Sequence, residues 1–217
     1  KQNGEKFIPE AIKKKAIAIV CSKKCKYYSK NVPVIKTFNI RGLLSEVCSK
    51  FYKLKPKNII AVTGTNGKTS VTDLFYQILK LNNKPAASIG TLGVKFNGKT
   101  IKTKLTSPDT ISLHQILEKM KKKRIDNVII EASSHGLHQN RIDHLDLKAG
   151  IFTNFSQDHL DYHKNMSAYL NAKLLLFRKV LTKKKVLICD KDTKQYSILK
   201  NISKKRSLRL IDITSIK

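Results

Sequence analysis

Long apolar segments are missing from this sequence of 217 residues. No segment approaches the roughly 18 consecutive apolar residues that a membrane-spanning helix requires, and the longest apolar runs, such as residues 16–21, have the length of a buried strand. The first residues also lack the order of charged, apolar and small residues that defines a signal peptide. We therefore expect a soluble, cytoplasmic protein without a membrane partner.

Acidic residues are scarce, because 15 Asp and Glu accompany 44 Lys and Arg, for a formal net charge of +29. Clustered basic residues favour nucleic-acid binding, since they neutralise phosphates. Here the basic residues are nearly all Lys, lie in small scattered groups and accompany no zinc-finger, RRM or basic-zipper motif. A Lys-rich nucleic-acid-binding module is an alternative, but we expect no nucleic-acid partner.

The four cysteines form no C-x-x-C pair, and only Cys21 and Cys25 lie close together in the sequence. In the absence of a secretory signal, reduced and buried thiols are the simplest interpretation. We predict neither a disulfide nor a zinc site. Apolar residues make up 41% and charged residues 27%, as in ordinary globular proteins, so disorder is not expected.

The hydrophobic pattern predicts two domains. Residues 9–15 and 40–52 read as helices and residues 16–21 and 32–35 as short strands, and the polar, Pro-containing segment 53–57 follows. We place a first domain at residues 1–55 and a second at residues 56–217. In the second, predicted strands (58–62, 127–132, 149–153, 185–189 and 208–213) alternate with predicted helices (69–81, 112–123 and 167–181). This alternation indicates an α/β domain with a mainly parallel sheet covered on both faces.

Residues 61–70, AVTGTNGKTS, lie between an apolar strand and an amphipathic helix, where a phosphate-binding loop is expected. Gly64 and Gly67 would let backbone amides approach phosphate oxygens, Lys68 would add a charge, and the Thr69 hydroxyl could bind Mg²⁺. The usual motif has another Gly where this sequence has Val62, so only its second half is present; a Gly-rich turn with a chance Lys is the alternative. We predict nucleotide binding by Gly64, Thr65, Asn66, Gly67, Lys68, Thr69 and Ser70.

Lys173 lies on the apolar side of the predicted helix 167–181. Its neighbours three and four positions away are Tyr169, Leu170, Leu176 and Phe177. A buried ammonium is unfavourable unless it is paired or chemically altered, and the alternative is a lysine that extends along the apolar surface to water. This position makes Lys173 a candidate functional residue.

Two further side chains follow predicted strands. Glu131 lies at the end of strand 127–132, where α/β sheets place their ligands. His159 follows strand 149–153 and is flanked by Asp158 and Asp161, which favours a site role over the more common structural histidine. Both are therefore candidate site residues.

These motifs together resemble the Mur ligases and their folylpolyglutamate synthetase relatives, which use the shortened loop GTNGKTS and join an amino acid to a carboxylate through an acyl phosphate. The segments SSHGL at 133–137, Q-x-R at 139–141 and TSPD at 106–109 are similar to the UDP-N-acetylmuramoyl-tripeptide synthetases within that family. A folylpolyglutamate synthetase-like protein or another Mur ligase is the alternative. The resemblance implies a P-loop-type ATPase domain with a mainly parallel sheet, preceded by part of a small α/β uridine-binding domain.

The activity implied by the resemblance is ATP-dependent ligation of meso-diaminopimelate or L-lysine to UDP-N-acetylmuramoyl-L-alanyl-D-glutamate. That reaction belongs to peptidoglycan synthesis, and through it to cell wall biogenesis, cell shape and division. The implied cofactors are ATP, Mg²⁺ and a CO₂-derived carbamate on Lys173. The resemblance also implies a monomer, and a chain that lacks the start of the first domain, the end of the second and the C-terminal domain that receives the amino acid. We expect this piece alone to form no product.

The resemblance also assigns roles to individual residues. The implied catalytic residues are Lys68, His159 and carbamylated Lys173. The implied metal ligands are Thr69, Glu131, His159 and Lys173, whereas His135, His138, His144 and His163 receive no metal role. The implied contacts to the UDP-muramoyl-peptide are Thr106, Ser107, Ser133, Gln139 and Arg141, although an ordinary loop would account for Thr106 and Ser107 without the family match.

Overall fold

The computed structural model describes residues 4–215, which divide into two compact units between Leu44 and Ser45. The ends of the two predicted domains, residues 1–3 and 216–217, lie outside the described residues. The predicted domain boundary after residue 55 stays a prediction. Within the described part of the chain, no helix is both long enough and apolar enough to cross a membrane.

The first unit is a small α/β arrangement. It contains a 3₁₀ turn at Gly4–Phe7, helix α1 at Ile8–Lys13, and strands β1 at Ile19–Ser22 and β2 at Val34–Thr37. The two strands are parallel, with Ile19 opposite Val34. Its core consists of Ile8, Ile19, Cys21 and Cys25. All four cysteines of the chain are buried free thiols.

The second unit is built around an eight-stranded sheet. Its strands are β3 (Asn58–Thr63), β4 (Ala86–Gly90), β5 (Gly93–Phe96), β6 (Lys99–Ile101), β7 (Asn127–Glu131), β8 (Leu147–Phe152), β9 (Val186–Cys189) and β10 (Arg209–Asp212). The helices from residue 40 onwards are α2 (Ile40–Phe51), α3 (Lys68–Leu81), α4 (Thr110–Lys122), α5 (Ser134–His138), α6 (Leu160–His163), α7 (Met166–Leu175) and α8 (Tyr196–Arg206). A π-helical turn at Leu176–Val180 continues α7, and a 3₁₀ turn at Ile213–Ser215 follows β10.

The strand order is β10-β9-β8-β3-β7-β4-β5-β6, and every pair is parallel except β4–β5 and β5–β6. All five residues of β4 are buried, and so are the last four of β7. Because successive strand residues point to opposite faces, such runs show that both faces of the central sheet are covered. The predicted α/β class with a mainly parallel sheet is thereby confirmed.

The predicted elements agree with the observed ones to within a few residues where the apolar pattern is long. The prediction missed β4, β5, β6, α5, α6 and α8. The strand β4 has the sequence AASIG, which lacks the β-branched run that identifies a strand, and β5 and β6 form a short hairpin around the left-handed Gly98. The predicted helix 167–181 is correct in place, but its last turn is π-helical.

The central strands β8, β3, β7 and β4 are neighbours and parallel, so their carboxyl ends meet at one edge of the sheet. The segments that leave these ends begin at Thr153, Gly64, Ala132 and Thr91. Parallel sheets place their ligands at this edge. The strand order therefore brings the loop at Gly64, the Glu131 end of β7 and the segment that begins at Thr153 to one edge of the sheet.

We predict that helix α4 is held to the sheet by its buried leucines. Leu117 is fully buried in the core, whereas Ile111 on the same helix is 42% exposed. Leu117→Ala should lower the free energy of unfolding by about 2–5 kcal/mol, since it removes apolar contacts and leaves a cavity. Ile111→Ala should change it by less than about 0.5 kcal/mol. Urea unfolding followed by circular dichroism measures both, and equal losses would contradict this packing.

Candidate functional site

The loop between β3 and α3 passes very close to the end of β8. Gly64 has φ +148°, and a Cβ at this position would overlap the Thr153 hydroxyl. Gly67 has φ +81° and precedes the first turn of α3, so both glycines adopt backbone conformations that side chains disfavour. The first N–H groups of α3 have no intrahelical acceptor, which makes this end of the helix suited to an anion.

Residues 153–156 hold the loop in place. The Thr65 N–H donates to the Asn154 carbonyl at 3.0 Å, and the Asn66 N–H donates to the Asn154 side-chain oxygen at 2.9 Å. The Thr153 hydroxyl donates to the Asn66 carbonyl at 2.6 Å. The amides of Thr65 and Asn66 are therefore engaged within the protein. The sequence pattern around His159 did not reveal this role of Asn154.

Two lysines donate to the same backbone oxygen of the loop. Lys68 Nζ lies 2.9 Å from the Gly64 carbonyl oxygen and 2.7 Å from that of Thr65, and Lys173 Nζ lies 2.6 Å from the Gly64 oxygen. The Lys173 ammonium also lies 4.2 Å from the centre of the Tyr169 ring. These partners are neutral, so neither lysine is neutralised by an ion pair at these contacts.

Lys173 is only 1% exposed, and this burial changes its protonation. Burial, reinforced by the charge of Lys68 and opposed by Asp158, lowers the pKa of Lys173 from 10.5 to about 7. Burial also lowers the pKa of Lys68, against the opposing charges of Glu131 and Asp158. A substantial share of Lys173 is therefore an uncharged, nucleophilic amine near neutral pH.

The Glu131 carboxylate lies at the end of β7 and is 1% exposed. One oxygen, Oε2, accepts from the Thr69 hydroxyl at 3.0 Å and from the Thr91 hydroxyl at 3.1 Å. The other, Oε1, accepts from the Thr91 N–H at 2.9 Å. Since the Thr69 hydroxyl gives its proton to Glu131, its lone pairs remain available to a cation.

A cavity of about 210 Å³ joins most of the predicted residues. It is lined by the predicted Lys68, Thr69, Thr106, Glu131, Ser133, His159 and Lys173, together with Thr91 and Ser134. Nothing in the sequence pattern identified Thr91, because it follows a strand that the pattern did not reveal. Thus residues predicted from five separate segments share one cavity.

Three predicted substrate contacts lie beside this cavity in a hydrogen-bonded chain. The buried Ser107 hydroxyl donates to the Glu131 carbonyl at 2.7 Å and accepts from the Ser133 N–H at 2.9 Å. Arg141 Nη1 donates to the Ser107 carbonyl at 2.6 Å, and its Nη2 donates to the Gln139 side-chain oxygen at 2.7 Å. The Ser107 side chain therefore supports the segment that carries Ser133, while Thr106 and Ser133 face the cavity.

His159 adopts the left-handed conformation, with φ +52°, and is exposed at the cavity. It is backed by a group of rings that sequence reasoning did not identify. The His135 ring lies 4.9 Å from the His159 ring and 4.0 Å from the Tyr162 ring, and His163 packs within 5.5 Å of His135. Burial lowers the pKa of His163 to about 4, helped by the neighbouring histidines, so this ring is neutral at physiological pH.

The donor atoms of the cavity fit Mg²⁺ at one end. Within residues 4–215, no three His, Cys, Asp or Glu side chains converge in a way that could hold a metal ion. The Glu131 carboxylate and the Thr69 hydroxyl are nevertheless hard oxygen ligands in direct contact, which is the chemistry that Mg²⁺ prefers. A charged Lys173 ammonium does not fit a cation site, whereas a carbamate on Lys173 would supply anionic oxygen ligands.

Comparison with known proteins identifies the family to which this fold belongs. The profile of the Mur ligase middle domain matches residues 62–216. The chain belongs to the Mur ligase family. The predicted resemblance to Mur ligases is thereby confirmed, and the matched region contains every residue that was predicted to form the site.

Individual Mur ligases and their relatives support this assignment. The UDP-N-acetylmuramoyl-L-alanyl-D-glutamate--2,6-diaminopimelate ligase of Buchnera aphidicola subsp. Schizaphis graminum (strain Sg) is 39% identical over 238 residues, a match that covers 100% of this chain and 48% of that ligase. A solved structure of a ligase with the same name is 26% identical, has a TM-score of 0.83 and covers 96% of this chain and 42% of the other. The chain therefore spans about half the length of the curated relatives it matches.

A second solved structure is more distant. E. coli FolC in complex with DHPP and ADP is 17% identical, with a TM-score of 0.60, and the match covers 85% of this chain and 48% of the other. At this level of identity the likeness shows a shared fold alone.

We predict that the stability of the chain depends on pH through Lys173. Between about pH 7 and about pH 9 the unfolded lysine keeps its proton and the folded one loses it, so the unfolded state binds more protons and stability rises with pH. Relative to that of Lys173→Met, the free energy of unfolding of the wild type should rise by about 1.4 kcal/mol per pH unit in this window. Below about pH 7 the folded lysine is charged, so the wild type remains destabilised by the full cost of burying that charge.

Urea unfolding of both proteins in CO₂-free buffer measures this difference. Lys194→Met, at an exposed lysine, is the control, and its difference from the wild type should not change with pH. A pH-independent difference between the wild type and Lys173→Met would contradict the lowered pKa of Lys173.

Proposed function

We propose that this chain forms the nucleotide- and muramoyl-peptide-binding part of a ligase that adds a diamino acid to UDP-N-acetylmuramoyl-L-alanyl-D-glutamate with ATP. The observation that carries the proposal is the cavity in which Lys68, Thr69, Glu131 and Lys173 meet beside the glycine loop. The names of relatives about 40% identical to the chain support the same substrate. Peptidoglycan synthesis in the cytoplasm, with consequences for cell shape and division, follows as the cellular role.

The proposed amino acid is diaminopimelate. The sequence left meso-diaminopimelate and L-lysine open, and the curated relatives from Buchnera and Rickettsia are named 2,6-diaminopimelate ligases. This part of the proposal rests on those names. We also propose a monomer, since one chain supplies every residue of the cavity.

The chain's own groups suit phosphoryl transfer from ATP. We propose that the residues Gly64 to Ser70 bind the phosphates, with Lys68 held at the mouth of the loop by two carbonyl oxygens. Bound Mg²⁺ would neutralise phosphate charge that otherwise repels an anionic nucleophile. The D-glutamate carboxylate of the substrate attacks the γ-phosphorus and ADP leaves, which gives an acyl phosphate. The amine then attacks the acyl carbon, phosphate leaves, and the amine proton passes to solvent.

We propose that Lys173 carries a carbamate in the working enzyme. An uncharged amine adds to CO₂ and releases one proton, and a pKa of about 7 makes that amine available at neutral pH. The product replaces a buried cation with an anion beside Lys68, which removes a repulsion and supplies oxygen ligands. With Thr69, Glu131 and His159 it would complete the predicted metal-binding set.

The substrate contacts are divided between two roles in this proposal. Thr106 and Ser133 line the cavity and would contact the muramoyl-peptide directly. Ser107 would act by fixing Ser133. Gln139 and Arg141 form the adjoining wall, where the guanidinium is suited to a carboxylate or phosphate of the substrate.

A binding experiment separates this function from its alternatives. Titration calorimetry with Mg²⁺–ATP and with UDP-N-acetylmuramoyl-L-alanyl-D-glutamate should show binding of both to the 217-residue chain. Lys68→Ala should weaken Mg²⁺–ATP binding by roughly tenfold, because a charge-assisted contact to phosphate is lost. Lys194→Met, at an exposed lysine that does not line the cavity, should bind as the wild type does.

The alternatives predict other outcomes. A folylpolyglutamate synthetase-like protein would bind Mg²⁺–ATP and a reduced folate but not the muramoyl-peptide. A nucleic-acid-binding module would show no nucleotide response and a steep salt dependence in filter binding. Either pattern would refute the proposed function.

The carbamate is tested separately. With ¹³C-bicarbonate at slightly alkaline pH, the wild-type chain should give a carbamate carbonyl resonance in its ¹³C NMR spectrum that disappears on acidification. Lys173→Arg should lack the resonance, because a guanidinium keeps its proton and does not add CO₂. Lys194→Arg controls for exposed lysines and should retain it. A resonance that persists in Lys173→Arg would refute modification at this residue.

A further inference from the structure

Thr91 lies in the cavity between Glu131 on one side and Thr106 on the other. It follows the last residue of β4, Gly90, at the same sheet edge as Glu131, and its side chain is exposed to the cavity. Its backbone N–H and its hydroxyl donate to different oxygens of the Glu131 carboxylate, at 2.9 and 3.1 Å. On the other side, its hydroxyl oxygen lies 3.2 Å from the Thr106 hydroxyl oxygen.

The number of protons sets the direction of this chain of contacts. A threonine hydroxyl has one proton, and Thr91 gives its proton to Glu131. In the contact between the two threonines, Thr106 must therefore be the donor and Thr91 the acceptor. The result is a directed chain in which Thr106 donates to Thr91 and Thr91 donates to the Glu131 carboxylate.

The backbone at position 90 is shaped around the same carboxylate. A Cβ on Gly90 would overlap the Glu131 carboxyl group, so the absence of a side chain lets the carboxylate lie against the end of β4. In that position Glu131 receives both donors of Thr91 and the Thr69 hydroxyl. Two contacts from one residue fix both the position and the rotation of the carboxylate.

We propose that Thr91 is a positioning residue that orients Glu131 toward the cation of the nucleotide and couples this cation to the Thr106 end of the cavity. The inference rests on the proposed function, because it assigns Glu131 to the cation and Thr106 to the muramoyl-peptide. A substrate group that accepts a hydrogen bond from the Thr106 hydroxyl competes with Thr91 for the same proton, and so weakens the hydrogen bond from Thr106 to Thr91. By linkage, cation and muramoyl-peptide should then alter each other's affinity by the same factor.

The test compares the wild type with Thr91→Val, Thr91→Ser and Thr100→Val. Valine keeps the shape of threonine but has no hydroxyl, serine keeps the hydroxyl, and Thr100 is an exposed threonine on β6 that serves as the matched control. Titration calorimetry measures ATP affinity with Mg²⁺ and with EDTA. In Thr91→Val, the factor by which Mg²⁺ increases the ATP affinity should be roughly tenfold smaller than in the wild type, while the ATP affinity in EDTA should be unchanged. Thr91→Ser and Thr100→Val should retain the gain.

A second titration measures the coupling. The affinity for UDP-N-acetylmuramoyl-L-alanyl-D-glutamate is compared with and without a non-hydrolysable ATP analogue and Mg²⁺. In the wild type the ratio of the two affinities should differ from one, and in Thr91→Val it should approach one. Thr91→Ala replaces Thr91→Val if the circular dichroism spectrum shows that the valine variant is unfolded.

The outcomes distinguish this inference from the proposed function. If the wild type binds Mg²⁺–ATP and Thr91→Val keeps the whole Mg²⁺-dependent gain, the positioning role is wrong and the proposed function stands. If Thr91→Val loses ATP affinity equally in Mg²⁺ and in EDTA, Thr91 acts on the loop rather than on the cation, which also overturns the inference. If the wild type binds neither ligand, the proposed function itself fails.

Discussion

The close approach of the β3 loop to the end of β8 is the constraint on which the site depends. It is possible because position 64 carries no side chain, and a Cβ there would overlap the Thr153 hydroxyl. Hydrogen bonds from Thr65 and Asn66 to Asn154 then fix the loop. The Gly64 carbonyl is thereby turned toward α7, where Lys173 donates to it. The loop, the end of β8 and the buried Lys173 are therefore held together by direct contacts.

The electrostatics of the site follow from the contacts around the Gly64 carbonyl. Two lysines donate to one neutral carbonyl oxygen, and the charge of Lys68 helps burial to lower the pKa of Lys173. The buried Glu131 carboxylate is already engaged by hydroxyl and amide donors rather than by these ammonium groups. The loop end of the cavity, with Lys68, therefore suits an anionic group such as a phosphate, and the end at Glu131 suits a cation.

Much of this fold and part of this site could be predicted from the sequence. The long apolar runs of β3 and β7 and the loop GTNGKTS identify the central strands and the phosphate-binding turn, because strong local preferences agree there with the tertiary structure. The strand β4 escaped prediction because tertiary burial, not β-propensity, makes AASIG a strand. Thr91 was missed with it, since a role set by contacts across the sheet leaves no local pattern.

The π-helical turn at Leu176–Val180 should tolerate a change in the number of its residues less well than a change in their identity. A residue removed from this turn would rotate everything after it by about 100° relative to α7, since an α-helix turns once per 3.6 residues. Phe177 and Leu181, which lie against Gly150 of β8, would leave their places, while Lys173 would keep its own. Related sequences should therefore exchange one apolar side chain for another here, yet show neither insertions nor deletions.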